Sequence, residues 1–168
     1  MPSDASQQGD RGIEAAKTPL LIFVDADACP VKEEVYKVAR RHGCGVRVVS
    51  NSFIRTPADV QLVFVEAGPD VADDWIVEHM RPADIVITND VPLAARTLKA
   101  GSMALGATGK PFTASSIGAA LAHRDLSEHL RSIGQMTSGP GAFSQADRSR
   151  FLSALDTMVT KAKALRGV

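Results

Sequence analysis

The chain has 168 residues and a mass of 17.8 kDa, a length that predicts one domain with room for an irregular tail. Its 19 Lys+Arg and 19 Asp+Glu cancel. That balance excludes a polycation gripping nucleic acid through overall charge and an acidic disordered chain, but a zero sum can still hide a polarised surface. No apolar run approaches the ~20 residues of a membrane span. The polar first residues lack the basic and apolar regions of a secretory signal. Cys29 and Cys44 form no CxxC pair, which argues against a disulfide scaffold or a cysteine zinc site. A reduced, cytoplasmic compartment is the expectation.

Residues 1–18 read as a disordered leader, and residues 19–168 as a single domain with a helical C-terminal segment. Leu20-Leu21-Ile22-Phe23-Val24 is a continuous apolar run ending at Asp25, as in a strand buried on both faces of a parallel sheet. Pro30 suits a first helical position. Val31, Val35, Val38, Ala39 and His42 then mark one helix face, which Gly43 and Gly45 end. Val46–Val49 predicts a strand, followed by a loop with Arg55 and Pro57, then a strand over Gln61–Val65. A helix over Val71–Met80 leads to a strand at Ile85–Thr88. A helix over Pro92–Lys99 precedes a short edge strand at Met103–Leu105. Helical patterns return at 115–131 and 144–165, parted by Thr137-Ser138-Gly139-Pro140-Gly141. Strands alternating with helices predict a three-layer α/β/α fold around a mainly parallel sheet.

In such a sheet, ligands bind beyond the carboxyl ends of the strands. The first strand ends in Asp25 and Asp27, the second in Ser50 and Asn51, and the strand at 85–88 in Thr88, Asn89 and Asp90. Carboxylates with neutral oxygen groups suit a hard cation such as Mg²⁺. Each acid also has a plainer role open to it. Asp90 precedes Pro92 and can cap a helix. Asp27 can form an Asx-turn. Asp25 can pair with a lysine or arginine. On the helix from Val71, Asp73 falls at about 200°, between Met80 and Val77 on the apolar face, whereas Asp74 and Glu78 fall on the polar arc.

Other motifs carry less. Gly109-Lys110 is no phosphate loop, since Ala104 and Pro111 stand where a Walker A pattern needs Gly and Ser or Thr. His79, His123 and His129 lack HExxH spacing, and there is no GxSxG elbow. His42 and Trp75 read as packing. Cys29 sits near a helix start, which can activate a thiol, although a small buried cysteine is the commoner case. Residues 114–168 hold seven Lys/Arg against four acids, which fits a solvated helix face. Arg55 and Lys110 lie in loops expected on the acidic edge, where they could hold phosphates.

The strings Val24-Asp25-Ala26-Asp27-Ala28-Cys29-Pro30, Val71-Ala72-Asp73, Ile87-Thr88-Asn89-Asp90-Val91-Pro92-Leu93-Ala94 and Ser144-Gln145-Ala146-Asp147-Arg148 resemble the YaiI/YqxD family of uncharacterised bacterial proteins. That family is similar in turn to PIN-like nucleases, whose acids at strand ends and on a helix bind Mg²⁺ or Mn²⁺ and hydrolyse RNA. The resemblance implies a PIN-like domain with Asp25, Asp73 and Asp90 as metal ligands and Asp27 as an additional carboxylate. The fourth acid of many PIN domains has no counterpart, because Met103–Ala107 carries none.

The leading expectation is therefore a metal-dependent phosphodiesterase acting on RNA or another phosphodiester. Asp25, Asp27, Asp73 and Asp90 would be catalytic, and Asn51, Arg55, Thr88, Asn89 and Lys110 would position the phosphate. Two alternatives stay open. An apolar strand followed by Asp-x-Asp also opens haloacid-dehalogenase-like phosphatases, where the first Asp is the nucleophile. A non-catalytic module could use the same acids to bind a metal or nucleic acid.

Overall fold

The structure is a computed structural model that describes residues 19–26, 30–122 and 143–167. The expected leader, Asp27, Cys29, His123, His129 and the Gly/Ser/Pro stretch at 137–141 lie outside the described residues. Five strands form one sheet: β1 (Leu21–Asp25), β2 (Gly45–Ser50), β3 (Val60–Phe64), β4 (Ile85–Ile87) and β5 (Met103–Leu105). Their order is β3-β2-β1-β4-β5, and every pair is parallel. The helices are α1 (Lys32–His42), α2 (Val71–His79), α3 (Val91–Lys99), α4 (residues 114–122) and α5 (Gln145–Arg166). None of the described helices is long and apolar enough to cross a membrane.

The alternation of side chains along β1 builds the two outer layers. Ile22 and Val24 face α1 and α5, packing with Val35, Ala39, Phe151, Leu155 and Val159. Phe23 points the other way, to Ile76 and Met80 at α2 and Leu93 of α3. Residue β1 is thus apolar on both faces, as its unbroken run predicts. Asp25 follows Val24 and so belongs to the Phe23 face, beneath α2 and α3. Helix α1 begins at Lys32, with Pro30 in the turn before it, so the expected first-turn proline is displaced by two residues. Gly43 closes α1 at φ 69°, where the Cys44 N–H donates to the Ala39 carbonyl; a left-handed cap of this kind favours glycine. A capping box of Ser144 and Asp147 starts α5.

The chain visits the β2-β3 side of β1 first and the β4-β5 side afterwards. The topological switch therefore falls between β1 and β4, where Val24 pairs with Ile87. A crevice beyond the carboxyl ends of these two strands is the expected ligand position.

The opposite edge is tied by Asp84, which is 0% exposed. Its carboxylate accepts from the Leu21 N–H (3.0 Å), the Arg81 N–H (2.9 Å) and the Arg166 guanidinium (2.9 Å), with Arg81 Nε at 3.4 Å. Arg166 also donates to the Pro82 carbonyl at 2.7 Å. One carboxylate thus joins the start of β1, the turn before β4 and the end of α5. Removing it strands a buried guanidinium and two backbone donors. Asp84→Ala is expected to lower stability by about 3–5 kcal/mol, read as a lower denaturant midpoint at unchanged slope; an unchanged midpoint would refute the clasp.

Candidate functional site

A cavity of about 420 Å³ opens at the switch point. Asp25, the last residue of β1, lines it and is only 7% exposed. Thr88 Oγ1 donates to Asp25 Oδ2 at 2.9 Å and accepts from the Asp90 N–H at 3.0 Å. Asp90 Oδ1 in turn accepts from the Leu93 N–H at 3.1 Å, capping α3. Asp90 therefore fills both places the sequence left open for it: it caps a helix and it lines the cavity. Asn89 lines the cavity too, while its Oδ1 accepts from the Ala107 N–H at 2.9 Å and ties down the loop after β5.

Helix α2 supplies Asp73. Trp75 packs against Phe23 with ring centroids 6.1 Å apart and stacks on His79 at 3.9 Å. That packing fixes the helix rotation and leaves Asp73 half-buried on the cavity wall. Asp74, one residue on, faces outward and pairs with Arg96 at 2.8 Å. The helical arc thus separates two adjacent acids into different environments.

Two lining acids were not anticipated, Glu66 and Asp70. Both lie in the β3–α2 loop, where no periodic pattern gives a side chain a direction. Asp70 precedes α2 at φ 63°, without a side-chain capping bond. With Asp25, Asp73 and Asp90 this makes five carboxylates around the cavity, and no Lys, Arg or His among the described lining residues. The consequence is clearest at Asp73. Burial, then the like charges of Asp90, Asp25 and Asp70, push its carboxyl from 3.8 up to about 6, with Arg96 opposing.

The expected phosphate-positioning groups divide. Asn51 and Asn89 line the cavity. Thr88 does not: it is buried, with its hydroxyl committed to Asp25, so it braces an acid instead of facing a ligand. Arg55 and Lys110 are exposed and lie outside the lining. Gly109 beside Lys110 has a packing role: at φ 85° it abuts α5, where a Cβ would come within 2.9 Å of the Arg150 carbonyl. Asp25 accepts from Thr88. The cations of α5 are largely engaged inside the fold. Arg148 pairs with Glu34, Lys163 reaches the His42 carbonyl and Arg166 holds Asp84. His42 itself meets Asp156 at 2.7 Å, joining α1 to α5.

The donor set suits a hard divalent cation, being all oxygen and carrying uncompensated negative charge. Among the described residues, however, no three His, Cys, Asp or Glu side chains are grouped closely enough to hold a metal ion by themselves. Such a cation would rest on one or two carboxylates and keep water in its remaining positions, as Mg²⁺ commonly does.

The model of the YaiI/YqxD family, described as uncharacterised, matches residues 23–161. A "UPF0178 protein" of Caulobacter sp. (strain K31) is 61% identical over 145 residues, covering 85% of this chain and 96% of its own length. A "UPF0178 protein" of Rhodopseudomonas palustris (strain BisB18) is 56% identical over 146 residues, covering 86% and 94%. One from Bradyrhizobium sp. (strain ORS 278) is 53% identical over 150 residues, covering 88% and 92%. No solved structure matches the chain.

Asp73 yields a stability prediction. An acid that titrates higher when folded than when unfolded binds more protons in the folded state between the two values. Its contribution therefore favours folding at low pH and is lost as the pH rises from about 4 to about 6. Urea melts in metal-free buffer should show wild type losing stability relative to Asp73→Asn across that window. A constant difference between the two would contradict the crowding of charge.

Proposed function

The chain belongs to the YaiI/YqxD family, and we propose that its acidic cavity is the centre of a divalent-cation-dependent phosphodiester hydrolase acting on RNA. The observation that carries this reading is the placing of Asp25, Asp73 and Asp90, from three separate elements, on one cavity with no cation among its described lining residues. Crowding these acids works against folding, since each raises the cost of ionising the next. The resemblance to PIN-like nucleases supports the same choice of acids.

Mg²⁺ or Mn²⁺ bound there would supply a more acidic water and offset charge on phosphoryl oxygens. The protein's own part is positioning. Thr88 fixes the orientation of the Asp25 carboxylate through its donated hydrogen bond. Asp90 is immobilised by its cap on α3, so its other oxygen keeps a defined direction. Asp73, desolvated and crowded, gains most from an added positive charge. Asn51 and Asn89, at the ends of β2 and β4, stand where an amide can orient a phosphate or the water that attacks it.

Two measurements test this. The melting temperature of wild type should rise on adding Mg²⁺ or Mn²⁺, by the equivalent of about 2.7 kcal/mol at a hundred times the dissociation constant. Asp25→Asn and Asp73→Asn should lose most of that response. Labelled RNA should be cut in Mn²⁺ and left intact in EDTA, and Thr88→Val should lower the rate roughly 10- to 100-fold, as loss of a group supporting a metal ligand typically does. Cation stabilisation without cleavage of any phosphodiester would favour the non-catalytic module. Cleavage undiminished in Asp25→Asn would overturn the assignment.

A further inference from the structure

Phe53 is 85% exposed and Phe64 is 64% exposed, two of only six phenylalanines in the chain. Both are near in sequence to residues that line the acidic cavity. Phe64 ends β3 and pairs in register with Ser50, the last residue of β2. Its neighbour Val65 lines the cavity from the α2 face, and successive strand residues point to opposite faces. Phe64 therefore shares the α1 face of β3 with Val60 and Leu62, at the strand end where Val65 turns to the cavity. Phe53 follows Ser50 by three positions, and Asn51 between them also lines the cavity.

The loop that presents Phe53 is held at several points. The buried Ser50 hydroxyl accepts from the Ser52 N–H at 3.1 Å. Ile54 packs on the core, the Thr56 hydroxyl donates to the Val60 carbonyl, and Asp59 pairs with Arg40 at 2.8 Å. A loop so anchored could tuck in its aromatic ring, yet the ring beside the packed Ile54 faces solvent. Arg55 is exposed on the same loop, and no described carboxylate pairs with it.

We infer that Phe53 and Phe64 form a stacking platform for unpaired bases of a single-stranded RNA whose backbone enters the acidic cavity, with Arg55 against a phosphate. This deepens the phosphodiester reading, on which the choice of ligand rests. Aromatic faces accept any unpaired base, whereas the stacked bases of a duplex hide theirs. Consecutive residues join platform and cavity, so one strand can touch both. The chain's net charge is zero, so a phosphate polymer needs a contact other than bulk attraction, and stacking provides one.

The test is fluorescence anisotropy of labelled oligouridine and of blunt duplex RNA in EDTA, where hydrolysis is stopped. Wild type should bind the single strand saturably and the duplex more weakly. Phe53→Ala and Phe64→Ala should each weaken binding roughly 5- to 150-fold, the equivalent of one lost stack, at unchanged melting temperature. Phe53→Tyr and Phe64→Tyr should bind like wild type, since the ring is kept. Absence of binding by wild type, or equal binding by the alanine variants, would overturn the platform. So would full affinity in Phe53→Leu and Phe64→Leu, which would mean apolar contact alone. A sedimenting dimer that Phe64→Ala splits would also overturn it, assigning the rings to a second copy across the open β3 edge. Cleavage in Mn²⁺ is scored separately. Ring-dependent binding without cleavage supports the platform and defeats the hydrolase, while cleavage with ring-independent binding does the reverse.

Discussion

Like-charge crowding at the β1–β4 switch point is the constraint to which the rest of the molecule answers. Five carboxylates share one cavity, with no cation among its described lining residues. The half-buried member, Asp73, is displaced to about 6 by burial and by its neighbours. Two buried carboxylates make the contrast plain. Asp84 is sealed completely and is met by two guanidinium groups and two backbone donors. Asp25 is nearly as buried, but it lines the open cavity, where the Thr88 hydroxyl donates to it.

The tolerance for that crowding comes from the layers beneath it. The strands carry apolar side chains to both faces, and the layer of α1 and α5 is fastened at both ends. At the cavity end Arg148 reaches Glu34 and the Pro30 carbonyl; at the other end Lys163 and Arg166 reach α1 and Asp84. The basic character of the C-terminal region is thus spent largely on internal fastening. Helix geometry assists the acids as well. Asp73 lies in the first turn of α2, and Asp90 caps α3, both at the end of a helix where the backbone dipole favours negative charge.

Much of this was legible in the sequence because it rests on period and position. The apolar run into Asp25, the Asp73 intrusion at about 200° and the Asp90-Val91-Pro92 cap each tie a residue to an element with a defined direction. The strands were placed to within a residue at each end for the same reason. What stayed hidden sits in loops or turns. Glu66 and Asp70 precede α2 with no repeating pattern to orient them. Arg55 and Lys110 share an edge with the acids in topology but not a wall in space. Thr88 was read as a ligand group because its strand end was known, while its rotamer, turned to Asp25, was not. Asp84 gave no signal, since its partners Leu21 and Arg166 are 63 and 82 residues away.

The zero net charge acquires a physical meaning from this division. Several basic groups of α5 are tied into the fold, the exposed ones lie outside the cavity lining, and five carboxylates gather at the open crevice. At a distance, that crevice repels a phosphate chain, and the repulsion is greatest where the reaction is proposed to occur. Two contributions can offset it: a divalent cation that reverses the sign at the carboxylates, and contacts to bases, which carry no charge. The acidic cavity and the exposed Phe53 and Phe64 rings are suited to these two tasks, and the rings are near in sequence to the lining residues Asn51 and Val65. On the proposed reading, base contacts hold a single strand at this edge even without the cation, a bound cation adds to that affinity, and ionic strength matters less. A cationic groove would reverse that order, because it draws any nucleic acid, paired or not, through released counterions.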